Sequence, residues 1–204
     1  MDSKWEDSSE FCLSERDNDV LALLSEEDLT TFSFDGLKRR SRLHPETLSR
    51  ILNRLEQEGL IKKGSAGYDV TSKLSNFAHL HPTSITESHV PLLQTYLPSD
   101  LPISQLVSNL KGKWFGLLRW LGLSVNDGSI TLKWITEDGG IQVDANISET
   151  VLTIEAKFIQ DKNLNMALKA SYQLLSHVSK LCSPSRLAKH VSYYGNTDVT
   201  MTSA

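Results

Sequence analysis

Apolar positions first fall into a helical rhythm at Val20, Leu21, Leu23 and Leu24, behind three side chains able to cap a helix, Asp17, Asn18 and Asp19. Residues 1–16 are polar, acidic and aperiodic, and predict a loose tail. A β-branched and aromatic stretch at 30–34 precedes Asp35, which can cap a brief second helix over 35–42 with Leu37 and Leu43 turned inward. His44-Pro45 breaks that helix and opens a third, because proline disfavours helix in the residue before it and suits a first helical position. Leu48, Ile51, Leu52 and Leu55 make one apolar stripe, which predicts a helix over 45–58 closed by Gly59. Residues 60–63, the turn 64–67 and residues 68–71 read as a hairpin.

Residues 74–99 have no clean period and are expected to be a connector. Ile103, Leu106, Val107 and Leu110 then have helical spacing, and 113–123 reads as a strand. Turns at Asn126-Asp127-Gly128 and Asp138-Gly139-Gly140 bracket a strand over 129–136. Ile141, Val143, Ala145 and Ile147 alternate with Gln142, Asp144 and Asn146, so one face of that strand is expected to be wet. A strand over 151–159 and a long amphipathic helix over 161–181 complete the pattern. The fold class is therefore α+β: a helix-rich N-terminal unit at 17–73, then a domain at 100–182 with an antiparallel meander sheet and a long C-terminal helix. Residues 183–204 are expected to be a loose tail.

Length and composition agree with two small soluble domains: 204 residues, 39% hydrophobic and 23% charged. No apolar run is long enough to cross a membrane, no leader is expected, and Cys12 and Cys182 stand far apart, so a cytoplasmic protein without a disulfide framework is expected. The net charge of −4 hides an asymmetry. Residues 1–35 carry 2 basic and 11 acidic side chains, whereas 36–75 carry 9 basic and 4 acidic. A local basic block can hold a polyanion although the whole chain is acidic, because fields are short-ranged in salt.

That block coincides with an order of elements (helix, short helix, sharp turn, longer helix, hairpin) that belongs to a winged helix-turn-helix. The helix at 45–58 buries one face and can offer the other to a major groove. Glu46, Thr47, Arg50, Asn53 and Arg54 lie outward; arginine reads guanine, asparagine reads adenine, and threonine meets the thymine methyl. Lys38, Arg39, Arg40 and Arg42 cluster where phosphates would lie, beside His44, and Lys62 and Lys63 stand at the root of the wing. The stretch FSFDGLKRRSRLHPETLSRILNRLEQEGLIKKGSAGYDVT resembles the winged helix-turn-helix of prokaryotic transcriptional regulators of the broad MarR and ArsR types, in a style similar to archaeal members. LSRILNRLEQEGLIKK is similar to the recognition helix and first wing strand, and GYDVT to the second. The resemblance implies contact with double-stranded DNA by Thr47, Ser49, Arg50, Asn53 and Arg54. The wing tip, Gly-Ser-Ala-Gly, is short and uncharged, which argues against deep insertion into a minor groove.

A reader of two-fold sites is expected to be a homodimer, with 100–182 as the dimerisation module and, if it senses, the seat of a small-molecule or protein effector. Trp114, Phe115, Trp120 and Trp134 are read as core or interface. His79, His81 and His89 have metal-binding chemistry but read as ordinary loop residues, and Glu26-Glu27-Asp28 as a solvated acidic run. No nucleophile elbow, zincin or phosphate-loop pattern occurs, so no enzyme, metal or cofactor is expected. The alternative to a DNA reader is a protein-interaction winged helix acting as an adaptor in a larger assembly.

Overall fold

Two apolar clusters share one antiparallel sheet in the computed structural model, which describes residues 13–64, 67–74, 89–126, 128–160 and 163–182. The elements are α1 (Glu15–Glu26), β1 (Thr31–Phe32), α2 (Phe34–Ser41), α3 (Pro45–Gln57), β2 (Ile61–Gly64), β3 (Gly67–Val70), β4 (His89–Tyr96), α4 (Ile103–Leu110), β5 (Leu118–Asn126), β6 (Ser129–Thr136), β7 (Ile141–Ser148), β8 (Val151–Phe158) and α5 (Leu164–Cys182). The eight strands run in the order β2-β3-β1-β5-β6-β7-β8-β4. Among the described residues no helix is long and apolar enough to cross a membrane.

The joint between the halves is β1. It pairs with β3 on one side and β5 on the other, Thr31 opposite Leu123 and Phe32 opposite Gly122. The sheet thus crosses the boundary between the two expected domains, although each half keeps its own core. In the N-terminal half Val20, Leu21, Leu24, Phe32, Leu37, Leu48, Ile51, Leu52 and Leu55 pack together. In the other half Leu106 and Leu110 of α4 and Ala167, Ala170, Leu174 and Val178 of α5 cover one sheet face. Trp134 is fully buried there, its indole donating to the Lys113 carbonyl at 2.9 Å and meeting Trp120 edge-on at 5.4 Å.

Several expectations are corrected. Helix α1 starts inside the expected tail, because Ser14 and Asp17 form a reciprocal capping box. Ser33, not Asp35, caps α2, its hydroxyl accepting from Gly36 N at 3.0 Å and donating to the Trp120 carbonyl at 2.7 Å. The expected connector contains edge strand β4, paired with β8 and interrupted by a bulge after Pro91. The expected strand at 113–123 begins only at Leu118, and Trp114 is exposed, under the Arg119 guanidinium. The face expected to be wet is partly roofed: Gln142 and Asp144 are buried beneath the end of α1. Cys12, His79 and His81 lie outside the described residues.

Candidate nucleic-acid interface

Helix α3 is oriented by its stripe. Leu48, Ile51, Leu52 and Leu55 are each at most 1% exposed, so the opposite face must point out. Pro45 at its first position and Gly59 after its end, at φ 70°, fix its limits. Ser49, Arg50, Asn53 and Arg54 are exposed on that face, as is Glu46; Thr47 is half-buried. His44 is the exposed N-cap residue and makes no side-chain cap. Lys62 and Lys63 project from β2, both exposed.

The basic residues divide by what holds them. Arg50 pairs with Glu46 at 2.6 Å on the open surface, and Lys38 with Asp35 at 3.1 Å. Arg39 donates to the Asp35 carbonyl at 2.9 Å. Such exposed pairs are weak and exchangeable. Arg42, left-handed at φ 57°, closes α2; with the Gln160 amide oxygen assigned toward it, its guanidinium donates to that oxygen. Two arginines are committed to the fold. Arg54 Nε and Nη2 donate to both oxygens of buried Asp17, at 3.1 and 2.5 Å, fastening α3 to α1. Burial works against the Asp17 charge, yet the Arg54 and Ser14 hydrogen bonds hold its carboxyl below the ordinary value. Arg40 turns inward, away from the place where a phosphate contact was expected, and donates to Glu27 Oε1 at 3.2 and 3.0 Å.

Glu27, read from the sequence as part of a solvated acidic run, is instead the centre of a buried charged cluster. Its side chain is 1% exposed and joins α1 to α2 and to three strands. Oε1 accepts from Arg40 and from Lys157 at 2.8 Å. Oε2 accepts from Lys133 at 3.2 Å and from the Gln142 amide at 2.6 Å. Lys133 also reaches Asp144 at 3.0 Å, and Lys157 reaches Glu26 at 2.6 Å. Three carboxylates thus face three cations. Burial alone would raise the Glu27 pKa; Lys133, the Gln142 amide and Lys157 outweigh it and hold the carboxyl at about 2. Lys133 is raised in turn, because the charges of Asp144 and Glu27 exceed its own burial penalty. His89 is raised by Asp144, whose Oδ2 lies 3.6 Å from Nε2.

The signal for this cluster was present but non-local. Lys133, Asp144 and Lys157 each interrupt an apolar strand, and the meander register aligns Lys133 with Asp144 on one face. Nothing near Glu27 in the chain distinguishes it from its acidic neighbours.

Comparison with known protein families, curated proteins and solved structures finds no match to this chain.

Proposed function

We propose that the chain binds double-stranded DNA as a transcriptional regulator, with residues 15–70 acting as a winged helix. The observation that carries this reading is α3 itself: a helix held by four buried residues beside an exposed two-lysine strand, its open face presenting Ser49, Arg50 and Asn53. Arg50 and Asn53 would read base edges, while Lys38, Arg39, Arg42, Lys62 and Lys63 would meet phosphates. Arg40 and Arg54 have structural work and drop out of the reading face.

This division gives a measurable number. Lys62 and Lys63 have no carboxylate partner among the described residues, and Arg42 has only the longer-range charge of Asp138; Lys38, Arg39 and Arg50 have exchangeable partners. At a slope of about −0.9 per neutralised phosphate, log K against log salt should fall with a slope of about −3 to −5. Fluorescence anisotropy of the full chain on random duplex DNA measures it. Lys63→Ala should make the slope shallower by about 1, and Arg50→Ala should cost about 1–3 kcal/mol at a specific site. Absence of binding at low salt would sink the reading.

The second reading, a protein-docking winged helix in a larger assembly, is favoured by one observation: Arg50 is neutralised by Glu46, and Glu56 and Glu58 are exposed along the same helix. It is the reading that a failed anisotropy experiment would leave.

A further inference from the structure

The roof that the end of α1 makes over the sheet leaves a polar cleft of about 310 Å³. Its floor is a row of four side chains in cross-strand register, Ser124 on β5, Thr131 on β6, Asn146 on β7 and Thr153 on β8. At the usual strand spacing the row spans roughly 14 Å. One end of the roof is Asp28, held in a left-handed conformation at φ 49° with its carboxylate accepting from the Ser124 hydroxyl at 3.1 Å. Glu155 lines the opposite side. The row is internally linked, the Asn146 amide donating to the Thr131 hydroxyl at 2.8 Å.

The chemistry of this lining selects among ligands. Hydroxyls and amides both donate and accept, so four in a row suit a molecule whose own groups do both. At the inner end Glu26, Glu27 and Asp144 are matched by Arg40, Lys133 and Lys157, with His89, which also lines the cleft, 3.6 Å from Asp144. Asp28 and Glu155, which have no cationic partner among the described residues, add acceptors at the mouth and repel anions. An apolar ligand would desolvate the row and the two carboxylates while offering no partner beyond the Ser124–Asp28 and Asn146–Thr131 hydrogen bonds already made. The volume is at the small end for ligand sites, which suits one monosaccharide-sized molecule.

We propose that this cleft binds a small hydroxyl-rich molecule, a sugar or amino sugar without phosphate, lying along the Ser124–Thr131–Asn146–Thr153 row. The site is separate from the DNA-reading face and does not rest on that reading.

The test uses the full chain without DNA, by calorimetry and thermal unfolding with aldoses, alditols, glucosamine and glucose 6-phosphate at millimolar concentration. A neutral or amino sugar is expected to bind and raise Tm, and the phosphate ester is not. The pair Asn146→Leu and Thr153→Val should weaken that binding by about tenfold or more, the equivalent of one lost hydrogen bond. An unligated Tm close to that of the parent shows that the variant folds; if it does not fold, Ser124→Ala takes its place. No stabilisation by any neutral or amino sugar, equal binding of the phosphate ester, or undiminished binding by the variants would overturn the proposal.

Discussion

Replacing Glu27 with glutamine keeps the side-chain shape and removes one charge. It strands Arg40, Lys133 and Lys157 in a buried site where only Glu26 and Asp144 remain to balance them. Two routes give the magnitude. Removing one partner of a buried ionic group costs about 3–5 kcal/mol. Independently, a carboxyl that titrates at about 2 rather than 4.5 carries about 3 kcal/mol of folding free energy at neutral pH. The sign follows from the direction of the shift. With its folded pKa depressed, Glu27 contributes fully above pH 4.5, and the contribution is lost as pH falls toward 2. Urea unfolding of parent and variant across that range is the assay. The variant should be about 3 kcal/mol less stable at pH 7, with Tm about 6–12 °C lower. The difference should shrink as pH falls toward 2 and vanish below it, where the parent's carboxyl is also protonated. A difference below about 1 kcal/mol at pH 7, or one that does not change with pH, would refute the reasoning.

Three further outcomes are expected. Gly36→Ala should destabilise by about 2 kcal/mol or more, because the new Cβ would lie 2.5 Å from both Leu121 Cα and the Trp120 carbonyl oxygen, backbone atoms that cannot swing aside. Gly59→Ala, left-handed but in open space, should cost only about 1 kcal/mol in the same urea experiment. Arg54→Ala should lower stability by about 1–2 kcal/mol while leaving the salt slope of DNA binding unchanged, which separates it from Lys63→Ala.

Where the sequence was legible, one element carried its own signals. Helix α3 has a proline at its first position, a glycine past its end and a single apolar stripe between them, so its limits could be read within a residue. Strands β6, β7 and β8 alternate beside tight turns and were equally plain. Strand β4 was not: as an edge strand it is half-exposed along its length, and Pro91 and a bulge break its period. The charged junction was illegible for a different reason. Glu27 reads as one of three solvated acids, and its lysine partners follow 106 and 130 residues later. Burial of a charge is decided by such distant partners, whereas helix limits are decided within a few turns. The same holds for Arg40 and Arg54, grouped with the other cations of the basic block although an acidic partner draws Arg40 inward and ties the still exposed Arg54 to α1.

The two-residue strand β1 also bears on the order in which the chain assembles. Beside it, the Thr30 and Ser33 hydroxyls donate to the carbonyls of Leu123 and Trp120, which lie 93 and 87 residues away. Closing a loop of that length costs about 4 kcal/mol in chain entropy, so the local β5–β8 meander should form before this seam. On the ribosome, at about 5–20 residues per second, the N-terminal half, complete at Val70, would wait roughly 2–10 s for β5 to begin emerging at Leu118. Through that interval one side of β1 lacks its partner. An edge of two residues offers too few hydrogen-bonding groups to template a foreign strand, so the brevity of β1 keeps the waiting half from pairing with the wrong chain.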